Sequence, residues 1–341
     1  MWFDSKKNKI LGIDIGTSSV KIVELTKSGD KIELTNYGQF VDFRGQLQST
    51  TLQVLSSQVG DVIKGIVQEA GMKERSAAIA VPMFSGFTTV ITMPSIPDEE
   101  LSQAVTYEAK KYIPLPLGEV KFEWSKLDNN PAAEKGTMDL LIVAVTNELI
   151  NRYQEAAKLS NIDLRYIELD AFSLARALVG PSDGPTLIID IGALSTALII
   201  VDKEWPMYTR TSEVAGREFT KLLARSLGTD FKRAESLKYK IGVHSAGGII
   251  LPLVDSLLAE AKRIIDDYAK ARKMAIQRVI LSGGSSNTPG LLEYAVKALG
   301  KETVIANPFR DIIYPRELEP VIQKMAPAYC IAVGLALREF K

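Results

Sequence analysis

A four-residue signature occurs twice in this chain, and the repeat restricts the fold more than any other feature. Ile13-Asp14-Ile15-Gly16 recurs as Ile189-Asp190-Ile191-Gly192, about half of the 341 residues further on. At the first copy, Ile10 to Ile15 reads as a buried strand and Gly16-Thr17-Ser18-Ser19 as a turn. Val20 to Leu25 then alternates as a second strand. The run Thr186 to Val201 repeats that order. Two copies of one strand–turn–strand unit imply a duplicated α/β fold, with two like domains facing each other.

Other signals fill the space between the copies. A third strand is expected at Ile32 to Tyr37. A helix is expected from Leu52 to Ala70, with Gly71 as its stop, and then a buried strand from Ser76 to Val81. The stretch from Phe87 to Asn161 has its own pattern and reads as a small α/β insertion. It holds a strand (Thr88 to Met93), then a helix opened by Pro97-Asp98-Glu99-Glu100 and stopped by Pro114 and Pro116. Strands near Val120 to Leu127 and Met138 to Val145 follow, joined by a polar loop (Asp128 to Thr137), and a helix from Asn147 to Ser160 closes it. Asp163 to Leu169 and Ala171 to Val179 read as strand and helix. After the second copy, helices are expected at Gly216 to Leu227, Asp230 to Lys240 and Leu253 to Met274. A buried strand at Arg278 to Leu281 precedes helices at Thr288 to Leu299 and Pro327 to Phe340.

Composition removes several classes of chemistry. There is one cysteine (Cys330) and one histidine (His244), so no internal disulfide forms, and neither a zinc cluster nor a Ser-His-Asp site is supported. The lone cysteine points to a cytosolic chain. The 41 basic and 41 acidic residues cancel, which gives no bulk attraction to nucleic acid or to an anionic membrane. Met1 to Lys9 lacks the apolar core of a signal peptide, and no uninterrupted apolar run approaches the roughly 20 residues of a membrane span. His244 is expected in a polar break, and Cys330 on a buried helix face.

Carboxylates, hydroxyls and backbone amides remain. An aspartate at a strand end can hold a hydrated Mg²⁺. Gly16 allows close approach of a ligand, and the amides and hydroxyls of Gly16 to Ser19 can cradle phosphate oxygens. One such turn alone could equally be an ordinary polar hairpin. With Asp190 and Gly192 repeating it, two hairpins can grip a phosphate chain from both sides of a cleft. The second turn is poorer in hydroxyls, since Ala193 and Leu194 stand there. Ser282-Gly283-Gly284-Ser285-Ser286, after a buried strand, would let a base and ribose lie against backbone.

These three segments resemble the phosphate 1, phosphate 2 and adenosine motifs of the actin, Hsp70 and sugar kinase superfamily. Leu169 to Leu178 and Ala328 to Ala336 resemble its two connecting helices, so all five motifs occur in order over nearly the whole chain. Within the superfamily the chain is most similar to the bacterial cell-division protein FtsA and its relative PilM, the actin-like family of type IV pilus assembly. Pro94-Ser95-Ile96-Pro97 and Tyr107 to Leu115 resemble PilM in particular. A membrane helix like the one at the end of FtsA is not seen, which also favours PilM.

The resemblance implies duplicated actin-like (ribonuclease H-like) ATPase domains around a nucleotide cleft, with an FtsA-like inserted subdomain. The first domain would comprise 1–85, 162–180 and 327–341, and the insertion 86–161. The second core would be 181–214 and 276–326, with a helical part at 215–275. ATP (or ADP) with Mg²⁺ is the implied cofactor. Asp14 and Asp190 would take the metal and its waters; Gly16, Thr17, Ser18, Ser19 and Lys21 the phosphates on one side, Gly192 and Ala193 on the other. Gly216 opens a helix as in relatives. Glu235 and Lys238 resemble an Ala-Glu-x-x-Lys motif that lies by ribose and base, as would Gly283, Gly284 and Ser285. Lys21 read alone could be a solvated strand lysine, and Glu235–Lys238 a surface pair. For orienting an attacking water, Asp170 is the nearest candidate, with Asp190 acting through a water as the alternative. Phosphoryl transfer rests on positioning and charge, so the implied enzyme is at most a slow ATPase.

Implied partners are the cytoplasmic N-terminal peptide of PilN, other inner-membrane proteins of pilus assembly, and further copies of the chain. Nucleic acid is not among them, and the membrane is met only through partners, at the cytoplasmic side of the inner membrane. Tyr107, Tyr112 and Pro114-Leu115-Pro116 lie in the inserted unit, beside which the peptide would dock. Two other readings stay open: an FtsA-like filament-forming division protein, and a small-molecule kinase of the same superfamily.

Overall fold

The computed structural model describes residues 9–42, 56–127, 136–243 and 248–340. His244, the start of the expected helix at Leu52 and most of the Asp128 to Thr137 loop lie outside them.

The first half opens with β1 (Lys9–Ile15), β2 (Ser19–Ser28), β3 (Lys31–Val41), α1 (Ser56–Glu69) and β4 (Ser76–Val81). The inserted unit is β5 (Gly86–Pro94), α2 (Asp98–Ala109), β6 (Val120–Leu127), β7 (Thr137–Thr146) and α3 (Asn147–Leu159). β8 (Asp163–Leu169) and α4 (Asp170–Leu178) complete this half. The second half runs β9 (Thr186–Ile191), β10 (Thr196–Asp202), β11 (Trp205–Ser212), α5 (Gly216–Leu227), α6 (Phe231–Ile241), α7 (Leu251–Arg272), β12 (Arg278–Ser282), α8 (Leu291–Leu299) and β13 (Glu302–Ile305). β14 (Ile312–Ile313), α9 (Glu319–Met325) and α10 (Cys330–Leu337) lead back to the first half.

The duplication announced by the repeated motif is complete at the level of sheets. One sheet has the order β14-β3-β2-β1-β4-β8 and the other β11-β10-β9-β12-β13. In each, three strands form an antiparallel meander whose first member pairs in parallel with a fourth strand, which pairs in parallel with a fifth. The halves differ in what lies between corresponding strands. α5, α6 and α7 separate β11 from β12, where only α1 is described between β3 and β4. The inserted sheet, order β5-β7-β6, separates β4 from β8.

Both large sheets are buried on two faces, so their strands read as near-continuous apolar runs. Leu11, Ile13 and Ile22 face α1 and α3, whereas Ile10, Val23 and Leu25 face α10. In the second sheet Leu187, Ile189 and Leu281 face α5, α7 and α8, and Ile188, Ile199 and Ile280 face α4. α4 and α10 pack against each other. They form the layer between the sheets, and Cys330 is buried there. Arg316 to Leu337 is long and apolar enough by composition to cross a membrane. Here that apolarity belongs to a core helix, since Ala332, Val333, Leu335 and Ala336 are fully enclosed.

Several boundaries depart from expectation. α7 starts at Leu251 rather than Leu253 and takes in Pro252, which sits in its first turn, where a missing N–H costs nothing. The helix expected from Thr288 starts as α8 at Leu291, because Gly290 before it has φ +78°, and a 3-10 turn (Gly284–Asn287) lies ahead of it. The last helix likewise begins as a 3-10 turn at Ala326–Tyr329. β11, β13, β14 and α9 had no clear signal of their own.

Candidate functional site

The two repeated turns are closed alike. Gly16 N–H donates to Ser19 O at 2.9 Å, and Gly192 N–H donates to Ser195 O at 3.0 Å. Those two amides are therefore spent on the turns themselves. Thr17, Ser18 and Ser19 follow in the first turn and line a cavity of about 1000 Å³ between the halves. Every residue singled out above for metal, phosphate, nucleoside or water lines that same cavity.

Asp14 and Lys21 are cross-strand partners on β1 and β2. Lys21 Nζ donates to Asp14 Oδ2 at 3.2 Å, with both side chains largely buried. Lys21 is thus not a solvated strand lysine. Asp190 ends β9 opposite Ser282 of β12. Burial pushes its carboxyl up to about 6, and the Asp14 charge adds to this, while a hydrogen bond from Ser282 and the charge of Lys21 oppose it. Asp170 opens α4. Met83 N–H donates to its Oδ2 at 3.3 Å, and its buried Oδ1 has no partner among the described residues. Burial first, then the charges of Asp190 and Asp14, hold this carboxyl well above the usual range, against the N–H groups of Met83 and Ala171. Three carboxylates thus feel one another in the cleft, one from each of β1, β9 and α4.

The far wall is built on the second turn. Gly216 N–H donates to Gly192 O at 3.0 Å and Arg217 N–H to Ala193 O at 2.9 Å, which seats the start of α5 on that turn. Lys238, 1% exposed, ties α6 to the same place. Its ammonium donates to Gly216 O and Thr220 Oγ1, each at 3.2 Å, and to both Glu235 carboxylate oxygens at 2.9 Å. Burial lowers its pKa, and Glu235 opposes that. The pair is therefore not a surface pair; the lysine's donors are used to shape the wall. The third wall is the Gly283–Ser285 turn. Gly283 has φ +83°, and a Cβ there would stand 2.5 Å from Ile191 O, so only glycine fits.

Among the lining residues that sequence reasoning missed are Phe84, Arg217, Phe231 and Tyr239. The Arg217 guanidinium lies over the Phe231 ring, 5.7 Å from its centroid. Tyr239 OH donates weakly to Gly284 O at 3.4 Å. For Phe231 and Tyr239 a signal was available: they share one face of α6 with Glu235 and Lys238 by three- and four-residue spacing.

Among the described residues no group of three or more Asp, Glu, His or Cys forms a self-sufficient metal site. The oxygen-only donor set nevertheless fits Mg²⁺, which keeps waters and takes one or two carboxylates besides phosphate oxygens. The unpartnered Asp170 Oδ1 supports that fit, since a buried oxygen of this kind is normally satisfied by a water or ligand.

Comparison with known proteins agrees with this architecture. The family model for "Type IV pilus assembly protein PilM" matches residues 12–340. A chain of a solved PilM-PilN type IV pilus biogenesis complex is 25% identical, with a TM-score of 0.84, covering 98% of this chain and 100% of that one. MreB5 of Spiroplasma citri bound to AMPPNP shares the fold, with a TM-score of 0.53 at 14% identity, covering 98% of this chain and 96% of that one. The cell-division protein FtsA of Enterococcus faecalis is 20% identical over 98% of this chain and 91% of its own length. With an actin-like ATPase fold and a family match over nearly its whole length, the chain belongs to the PilM family of type IV pilus assembly proteins.

Proposed function

We propose that the cleft binds ATP, or ADP, with Mg²⁺, and that the chain is an actin-like scaffold of the pilus assembly platform. One observation carries this reading: two turns closed by the same hydrogen bond, each following an aspartate, face a single cavity from opposite halves. That is an arrangement for gripping a phosphate chain from both ends.

In this reading Asp14 and Asp190 hold the metal through its waters, and Lys21 orients Asp14 through the hydrogen bond it donates. Thr17, Ser18 and Ser19 donate to phosphate oxygens, and the Gly192–Ala193 turn supports the opposite side. Gly283, Gly284 and Ser285 give the nucleoside a flat backbone surface, with Phe231 and Tyr239 beside it. Glu235, held by Lys238 and Thr220, faces the ribose. Mg²⁺ supplies charge that offsets the phosphates. Asp170 places its free Oδ1 where it can orient a water. In this reading turnover is slow and binding dominates, since phosphoryl transfer rests on positioning and charge more than on a base.

The same reading places the chain at the cytoplasmic face of the inner membrane, docked through a partner. The partner is a PilN protein, the companion named in the solved complex, and its cytoplasmic N-terminal peptide is the segment that would dock beside the inserted unit. Nucleotide closes the cleft, and closure changes what the inserted unit presents. Thermal denaturation with Mg-ATP, with ATP plus chelator, and with a PilN-type peptide tests it. Mg-ATP raises the midpoint, the chelator reduces the gain, and the peptide adds a further rise. No shift with Mg-ATP rejects the cleft assignment, and no effect of the peptide rejects the partner.

A further inference from the structure

The inserted unit is covalently part of the first half, since its elements lie between β4 and β8. Its packing is not confined to that half. α2 covers one face of the inserted sheet through Leu101, Val105 and Ala109, which meet Leu140, Ile142 and Ala144 of β7. Residues alternating with these on β7 face the other way. Val143 and Val145 join an apolar cluster that also holds Ile188, Ile199 and Val201 of the second sheet. β5 lies against β11. The insertion thus bridges the two halves through a contact that the chain itself never crosses.

Asp139 sits on that same side of β7 and is 2% exposed. Thr92, its cross-strand neighbour on β5, donates its hydroxyl to Asp139 Oδ1 at 2.5 Å. Arg272, the last residue of α7, donates Nη1 to Asp139 Oδ2 and pairs with it. Both side chains are largely buried. Asp202, at the end of β10, also feels the Arg272 charge. The guanidinium therefore stands between an acid of the inserted unit and one of the second half.

Apolar contact is non-directional, so on its own it lets two surfaces slide. An ion pair in a nearly dry contact does not, because separating it strands a buried charge. We infer that the Asp139–Arg272 pair is a latch that fixes the inserted unit on the second half, so that the halves rotate about the cleft only when it releases. Motion of the inserted unit and opening of the cleft then become one event. Only the link to ligand release rests on the nucleotide reading.

The experiment is hydrogen exchange on the full-length, nucleotide-free protein carrying Asp139→Asn. The latch predicts exchange at least about 10-fold faster in β5, β7, β11 and the last turns of α7, with β1, β2 and β9 unchanged. Unchanged exchange at that contact, or faster exchange spread evenly over all three sheets, overturns it. If Asp139→Asn does not fold, Arg272→Lys keeps the charge and loses the fork, and the same outcomes apply. A second arm measures Mg-ATP dissociation, expected to be about 10-fold faster in the variant. Local exchange that rises while dissociation stays the same overturns the coupling to the cleft. Absence of any Mg-ATP binding to the parent protein tells against the nucleotide reading and leaves the exchange arm to decide the latch.

Discussion

Replacing Gly216 by alanine puts a methyl group where two walls of the cleft, the Gly192 turn and the Gly283–Ser285 turn, meet. The added Cβ would lie 2.0 Å from Ser285 Oγ, 3.2 Å from Ser285 Cβ and 3.1 Å from Gly192 O. Ordinary contact begins near 3.4 Å, so Ser285 must turn its hydroxyl away, and the remaining two contacts must each give by a few tenths of an ångström. Room to give is limited. Ser285 is buried, and its carbonyl accepts from the Thr288 hydroxyl at 2.8 Å. Gly192 O already accepts from Gly216 N–H. Overpacking of this kind costs about 1–3 kcal/mol. Gly216 is the first residue of α5, where the helix-interior advantage of alanine does not apply, so the net loss stays at about 1–3 kcal/mol. Urea denaturation of the ligand-free protein reads it. Because the Gly283–Ser285 turn moves, Mg-ATP affinity also falls about tenfold, the factor that about 1.4 kcal/mol gives. Adding Ser285→Gly removes both crowded atoms, so the double variant recovers most of the loss. The two changes then couple by at least about 0.5 kcal/mol. If Gly216→Ala matches the parent in stability and affinity and adds simply to Ser285→Gly, the two walls do not meet as described.

Other perturbations separate the parts of the site. The Asp190 carboxyl, held at about 6, sits above its ordinary value, so folding favours its protonated form. Its contribution is whole below about pH 4 and is lost as pH rises through 6, so the ligand-free parent loses up to about 3 kcal/mol relative to Asp190→Asn between those values. Equal pH dependence of the two in urea titrations contradicts this. Mg-ATP binding needs the ionised form, so it weakens below about pH 6 in the parent. Lys238→Met removes the cation from Glu235 and leaves the Thr220 hydroxyl donating to it. Because Glu235 is about one-third exposed, the cost is expected at about 1–3 kcal/mol, measured by urea denaturation. Phe231→Ala weakens ATP about tenfold while tripolyphosphate binds as before in competition titrations; equal loss for both would remove Phe231 from the nucleoside side.

The duplication was legible because buried parallel strands keep their apolar runs and because an Asp-Gly turn repeats at the same strand end. The carboxylates and glycines of the cleft were legible for the same reason, since the turns that carry them are short-range features. Arg217 and Phe231 were not recognised, because a charged and an aromatic residue at a helix start look like surface without knowledge of what lies opposite. Lys238 could not be told from a surface lysine, as its burial depends on Gly216 and Thr220 from another helix. Asp139 and Arg272 are far apart in sequence, and no local pattern marks two side chains that meet only across packed domains.

Isothermal titration calorimetry of Mg-ATP into the parent and into Asp14→Asn tests the central claim most directly. The change keeps the size of the side chain and removes the charge that Lys21 pairs with. Saturable binding of one nucleotide per chain is expected for the parent, with affinity at least about 100-fold lower in the variant, the loss that about 2.7 kcal/mol represents. No saturable heat with the parent, or equal affinity for both proteins, contradicts the account.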